Sequence, residues 1–189
     1  MKNEKISPKI KIKRPKFIIF TDKDGTLNLD DNQLNDILLM ISSMGGMVIP
    51  TTGRTVGDIQ EDFINKGLRI PKIIIGDNGA SIYSTTAKQF LIKKILEHDK
   101  VLEIIEEFIK IGGSIDNIRY TDGSRIYASD CESVNEYYAN SNTATMCEDI
   151  HQHIKDSQDI NKITLAGTKE QMQQMAEFCK RIRFLDRYG

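Results

Sequence analysis

The sequence predicts an α/β protein: a Rossmann-like, doubly wound parallel sheet followed by a separate α+β module. Short apolar runs at 17–20, 47–49 and 73–75 alternate with segments of helical periodicity. Each run ends in a polar cluster, where an open parallel sheet places its ligands. After about residue 81 the alternation gives way to helix, hairpin, helix, strand, helix. The expected division is a basic flexible tail (1–16), a core (17–80) and an α+β module (81–189).

The first run, FIIF, leads into Thr21, Asp22, Lys23 and Asp24, and Gly25 and Thr26 then turn the chain. It reads as a strand buried on both faces. Leu34, Ile37, Leu38, Ile41 and Met44 hold helical spacing up to Gly45 and Gly46. A second strand runs from Met47 toward Thr52-Gly53-Arg54, with Pro50 removing one ladder donor. Val56, Ile59 and Phe63 mark a helix stopped by Gly67, and a third strand at 72–76 enters Asp77-Asn78-Gly79-Ala80.

In the second half, Leu102, Ile105, Phe108 and Ile109 form a helical stripe ended by Gly112 and Gly113. Strands at 118–121 and 125–128 flank Asp122-Gly123, a hairpin signal. Met146, Ile150 and Ile154 suggest a helix, and 162–166 a strand. Thr168 and Gln171 have the spacing of a capping box, opening a last helix that turns Met172, Met175, Cys179 and Ile182 inward.

Composition narrows the function. The chain has 189 residues, 39% hydrophobic and 28% charged, with a formal net charge of −1. This is an ordinary soluble composition, and so small a charge argues against nucleic acid or an anionic membrane as a bulk partner. No apolar run approaches the roughly 20 residues needed to cross a bilayer. Three cysteines without metal spacing suit reduced thiols in a cytoplasm. Lys2, Lys5, Lys9, Lys11, Lys13, Arg14 and Lys16 against Glu4 make the tail self-repelling.

The chemistry gathers at Asp22 and Asp24. Two carboxylates that close repel unless a cation sits between them, and hard oxygen donors suit Mg2+. An EF-hand begun at Asp22 would need Gly at its sixth place, which is Leu27.

A strand followed by DxDGT resembles the first motif of the haloacid dehalogenase (HAD) superfamily. The resemblance implies Asp22 as the nucleophile that takes up a phosphoryl group and Asp24 as the general acid and base, with Mg2+ held by both. Thr52-Gly53-Arg54 resembles the TGR form of the second motif in the sugar-phosphatase branch. It implies phosphate binding by Thr52 and Gly53, with Arg54 facing the substrate. Asn78-Gly79-Ala80 resembles the NGA element of Cof-type and mannosyl-3-phosphoglycerate phosphatase-like members. There it marks the exit into an inserted cap of the C2 type and makes Asn78 and Gly79 part of the substrate pocket.

The family's third motif, a Lys, and its fourth, an acidic GDxxND-like cluster, are not found. The core then lacks the strands that would cover the outer side of the DxDGT strand, which becomes an open apolar edge. That edge is expected to belong to part of a longer protein, or to be covered by self-association or by the tail.

The function implied is Mg2+-dependent hydrolysis of a small, sugar-phosphate-like phosphomonoester through an aspartyl-phosphate. The alternative is a catalytically impaired or truncated module that binds a phosphate ligand or a partner protein. A phosphomutase is a further alternative using the same aspartates.

Other candidates have plainer readings. His151 and His153 diverge by about 200° on a helix and cannot share a metal. Cys131 has no paired base in view. Tyr120, Tyr127, Tyr137 and Tyr138 read as hairpin packing. Lys162, Lys169 and Lys180 read as surface residues of the cap, and Asp77 as a weak substitute metal ligand.

Overall fold

The computed structural model describes residues 14–24, 26, 30–129 and 143–182. Most of the basic tail, with Cys131, Tyr137 and Tyr138, lies outside the described residues.

Strands β1 (Phe17–Asp22), β2 (Gly46–Thr51) and β3 (Ile73–Gly76) run parallel. Antiparallel strands β4 (Ser81–Ser84) and β5 (Gln89–Lys93) extend the same sheet, in the order β1-β2-β3-β4-β5. The sheet thus runs past residue 80, where the change in sequence pattern suggests the cap begins. The β4–β5 turn carries no Asn-Gly or Asp-Gly signal. It closes with Lys88 at φ 53°, a conformation few non-glycine residues adopt.

The two crossovers are helices α1 (Asp31–Ser43) and α2 (Val56–Asn65). Asp30 caps the first by accepting from Gln33 N at 2.9 Å, and Thr55 caps the second by accepting from Asp58 N at 3.1 Å. Leu34 of α1 joins Val56, Ile59 and Phe63 of α2 and Ile74 of β3 in one apolar cluster. Both helices therefore cover the same face of the sheet. Pro50 stands opposite Thr21 of β1, and the β2–β3 ladder is short, with Thr51 facing Ile75. A residue without an N–H fits there.

β1 forms the edge of this sheet among the described residues. Its side chains are exposed on both faces, with Phe20 63% and Ile18 44% accessible. Among the described residues the strand that reads as doubly buried therefore lies open.

The α+β part contains α3 (His98–Lys110), β6 (Ile118–Thr121), β7 (Ile126–Ala128), β8 (Ala144–Met146), α4 (Ile150–Asp156), β9 (Lys162–Leu165) and α5 (Lys169–Ile182). Its strands are ordered β8-β7-β6-β9. α3, α4 and α5 share an apolar core with Ile118 and Tyr120 of the sheet. The capping box forms: Thr168 N donates to Gln171 Oε1 at 2.8 Å, and Gln171 N to Thr168 Oγ1 at 3.3 Å. Met175 is buried at its centre, with Met172, Cys179 and Ile182 packed around it.

One expectation needs correcting here. Met146 is not helical but ends β8 opposite Ala128, 66% exposed. Asp149 caps α4 by accepting from Gln152 N at 2.9 Å, so the helix starts only at Ile150.

The two parts meet where the β6–β7 turn docks on the start of α2. Val56 N donates to Gly123 O at 2.9 Å, and Thr55 Oγ1 to Ser124 O at 3.3 Å. A Cβ on Gly57 would lie 2.1 Å from Ser124 O, a backbone atom that cannot swing away. Gly57→Ala is therefore expected to destabilise the chain by about 1–3 kcal/mol, as overpacking does. A lower urea midpoint with an unchanged slope is the signature, and an unchanged midpoint would refute the close contact.

Candidate active site

The three polar clusters converge at the C-terminal ends of β1, β2 and β3. Parallel register sets Asp22 beside Thr51, so the residues following each strand become neighbours. Thr52 Oγ1 donates to Asp24 Oδ2 at 3.4 Å. Arg54 Nη1 stands 3.7 Å from Asp24 Oδ1. The loops after β2 and β3 are laced by main-chain bonds, Asp77 N to Arg54 O at 2.9 Å and Asn78 N to Thr52 O at 3.1 Å.

Asp22 and Asp24 are both exposed, the Asp24 side chain by 59%. Lys23, between them in sequence, points elsewhere and pairs with Asp62 of α2 at 2.7 Å. Burial alone would raise the Asp62 pKa. The hydrogen bond and charge of Lys23, with Lys66, hold it below the usual carboxylate range.

Arg54 is buried and committed. Its Nε donates to Asp58 Oδ2 at 2.5 Å, and Asp58 is 1% exposed. Burial works against the Arg54 charge, but the Asp58 hydrogen bond and charge, with Asp24 and Asp62 behind them, raise its pKa above the ordinary value. Asp58 was not among the residues singled out from sequence. Its position four residues after Arg54 is the available signal, an i,i+4 ion pair across the first turn of α2.

Asn78 and Gly79 sit exposed in a single 3-10 turn, with φ 56° and 94°. A Cβ on Gly53 would come 2.7 Å from Asn78 Oδ1, so the bare Gly53 lets that amide lie across the turn. Asp77 is 3% exposed and accepts from Thr121 Oγ1 at 2.8 Å and Ser81 Oγ at 2.9 Å. It is a buried tie between the five-stranded sheet and β6, with each carboxylate oxygen taken by a hydroxyl. Burial pushes its pKa up; the two hydroxyls and Lys162 oppose this without reversing it.

Lys162 also departs from expectation. It is half-buried, and its Nζ donates to Gly53 O at 2.7 Å. No local pattern announces this, because the contact depends on β9 pairing with β6 so that Lys162 stands opposite Thr121.

Among the described residues no three His, Cys, Asp or Glu side chains form a metal cage. Mg2+ does not need one: it keeps several waters and takes one or two carboxylates plus substrate oxygens. Asp22 and Asp24, exposed and close in sequence at a strand end, fit that donor set.

A family model described as haloacid dehalogenase-like hydrolase matches residues 19–186. The chain belongs to this family. The likeness to solved HAD structures is one of fold. A haloacid dehalogenase-like hydrolase from Bacteroides thetaiotaomicron is 18% identical, with a TM-score of 0.68 over 90% of this chain and 65% of that one. A Thermotoga maritima protein, TM0651, is 16% identical with a TM-score of 0.67, over 89% and 62%. A HAD subclass IIB sugar phosphatase, BT4131, is 16% identical with a TM-score of 0.59, over 85% and 62%. The chain thus spans less than two thirds of the length of these relatives. No curated protein matches it significantly. No helix among the described residues is long and apolar enough to cross a membrane.

Proposed function

We propose that the chain carries the reacting groups of a Mg2+-dependent phosphomonoester hydrolase for a small, sugar-phosphate-like metabolite. The observation that supports this most is the meeting of Thr52 and Arg54 on Asp24, beside Asp22 at the sheet's C-terminal end. An Asp22 oxygen attacks phosphorus in line, and the bond to the leaving oxygen breaks as an aspartyl-phosphate forms. Asp24 gives that leaving oxygen its proton. Asp24 then takes a proton from water, which attacks the aspartyl-phosphate, frees inorganic phosphate and restores Asp22. Thr52 and the Gly53 backbone would bind phosphoryl oxygens, while Arg54, Asn78 and Gly79 line the substrate side. Mg2+ held by Asp22 and Asp24 would supply positive charge for the phosphoryl oxygens.

The sugar-phosphate class rests on the TGR and NGA elements, with the fold of a sugar phosphatase as support. The cap, from α3 onward, would shield the site and choose the leaving group. A phosphate-binding module without turnover is the second reading. The open side of β1 favours it, since it leaves Asp22 in water.

Phosphate release from p-nitrophenyl phosphate decides between them. The expected result is release that requires Mg2+ and stops with EDTA. A folded chain that releases none above buffer in Mg2+ would sink the hydrolase reading for this chain.

A further inference from the structure

Lys162 opens β9 and reaches out of the cap to the turn after β2, where its Nζ meets Gly53 O at 2.7 Å. An ammonium has three donors, and this one has a single hydrogen-bond acceptor among the described residues. The opposing charge that acts on it is Asp77. Both Asp77 oxygens, however, already accept from hydroxyls, Oδ1 from Thr121 and Oδ2 from Ser81. Arg54, the other cation of this turn, is bound to Asp58 and faces Asp24. Half-burial costs an ammonium hydration, and one carbonyl returns only part of it. What is left is a cation beside the turn that carries Thr52 and Arg54, with two donors to give.

We propose that Lys162 binds a second acidic group, a carboxylate or phosphate, on the leaving-group side of the phosphate ester. The cap thereby reads the substrate through one charge. This rests on the assignment of Asp22 and Asp24 given above. Gly53 follows Thr52, whose hydroxyl reaches Asp24 at 3.4 Å. One Cα step of about 3.8 Å, with the bonds out to the Thr52 hydroxyl and the Gly53 carbonyl and the 2.7 Å contact, puts the ammonium within roughly 15 Å of the Asp24 carboxylate. That span suits a ligand whose acid lies a few bonds from phosphorus.

The test compares 3-phosphonopropionate with propylphosphonate, similar in size but without the carboxylate. Binding of each is measured by calorimetry in Mg2+ to the natural chain, Lys162→Met and Lys162→Arg. The natural chain should prefer 3-phosphonopropionate by about tenfold or more, the effect of one charge-assisted hydrogen bond. Lys162→Met should lose the preference yet hold propylphosphonate as before, and Lys162→Arg should keep most of it. If Lys162→Met weakens both ligands equally, Lys162 only braces the turn; the proposal falls and the hydrolase reading stands. A preference that survives in Lys162→Met overturns the proposal as well. If the folded natural chain binds neither phosphonate, the proposal falls, and release from p-nitrophenyl phosphate decides the hydrolase reading separately.

Discussion

Asp22→Asn should cut Mg2+-dependent phosphate release by about a thousandfold or more, because an amide cannot take up the phosphoryl group and the reaction has no second route. The same change should barely move stability. Asp22 is exposed, with no side-chain partner among the described residues, and such positions shift stability by about 0.5 kcal/mol or less. Asp24→Asn separates the two roles. With p-nitrophenyl phosphate the leaving phenolate departs without a proton, so formation of the aspartyl-phosphate should persist and its hydrolysis should slow. With an alkyl phosphate both steps need Asp24, and the loss should be larger. Steady-state rates on the two esters, beside a burst measurement for Asp24→Asn, check this. Asp22→Asn retaining a tenth of the natural rate would remove Asp22 as the nucleophile.

The legible parts of this molecule are those whose signals are local. The two carboxylates at the end of β1, the capping box of Thr168 and Gln171 and the Asp122-Gly123 hairpin are each settled by residues within a few positions of one another. Family membership was legible for the same reason, since DxDGT is a contiguous cluster. The contacts of Lys162 and Asp77 are not legible, because their partners lie far away in sequence. Gly53 is 109 residues from Lys162, and Thr121 is 44 from Asp77. A lysine opening a strand looks like a surface residue until the strand's neighbour is known. The β4–β5 pair was missed for a different reason: its turn closes through a left-handed Lys88, a choice the backbone makes without glycine. β1 shows how composition and position disagree. Its apolar residues suit a strand covered on both faces, whereas the order of strands puts it at the edge.

Asp58→Leu should be the most damaging single substitution near the site, with an expected loss of about 3–5 kcal/mol. The carboxylate is buried, accepting from Arg54 Nε at 2.5 Å and Thr143 Oγ1 at 3.4 Å. Removing it leaves the Arg54 guanidinium, only 10% exposed, to face Asp24 at 3.7 Å. A buried charge that loses its shortest ion-pair contact keeps its desolvation cost, and that cost makes the effect large. At roughly 2–4 °C per kcal/mol for a chain of this size, the Tm should fall on the order of 10 °C. The double variant Arg54→Met/Asp58→Leu removes both charges and should recover most of the loss, since an apolar pair of similar volume needs no solvation. Urea midpoints of the two single variants and the double one give the coupling directly. Additive losses would mean that Arg54 and Asp58 act independently, against the 2.5 Å bond between them.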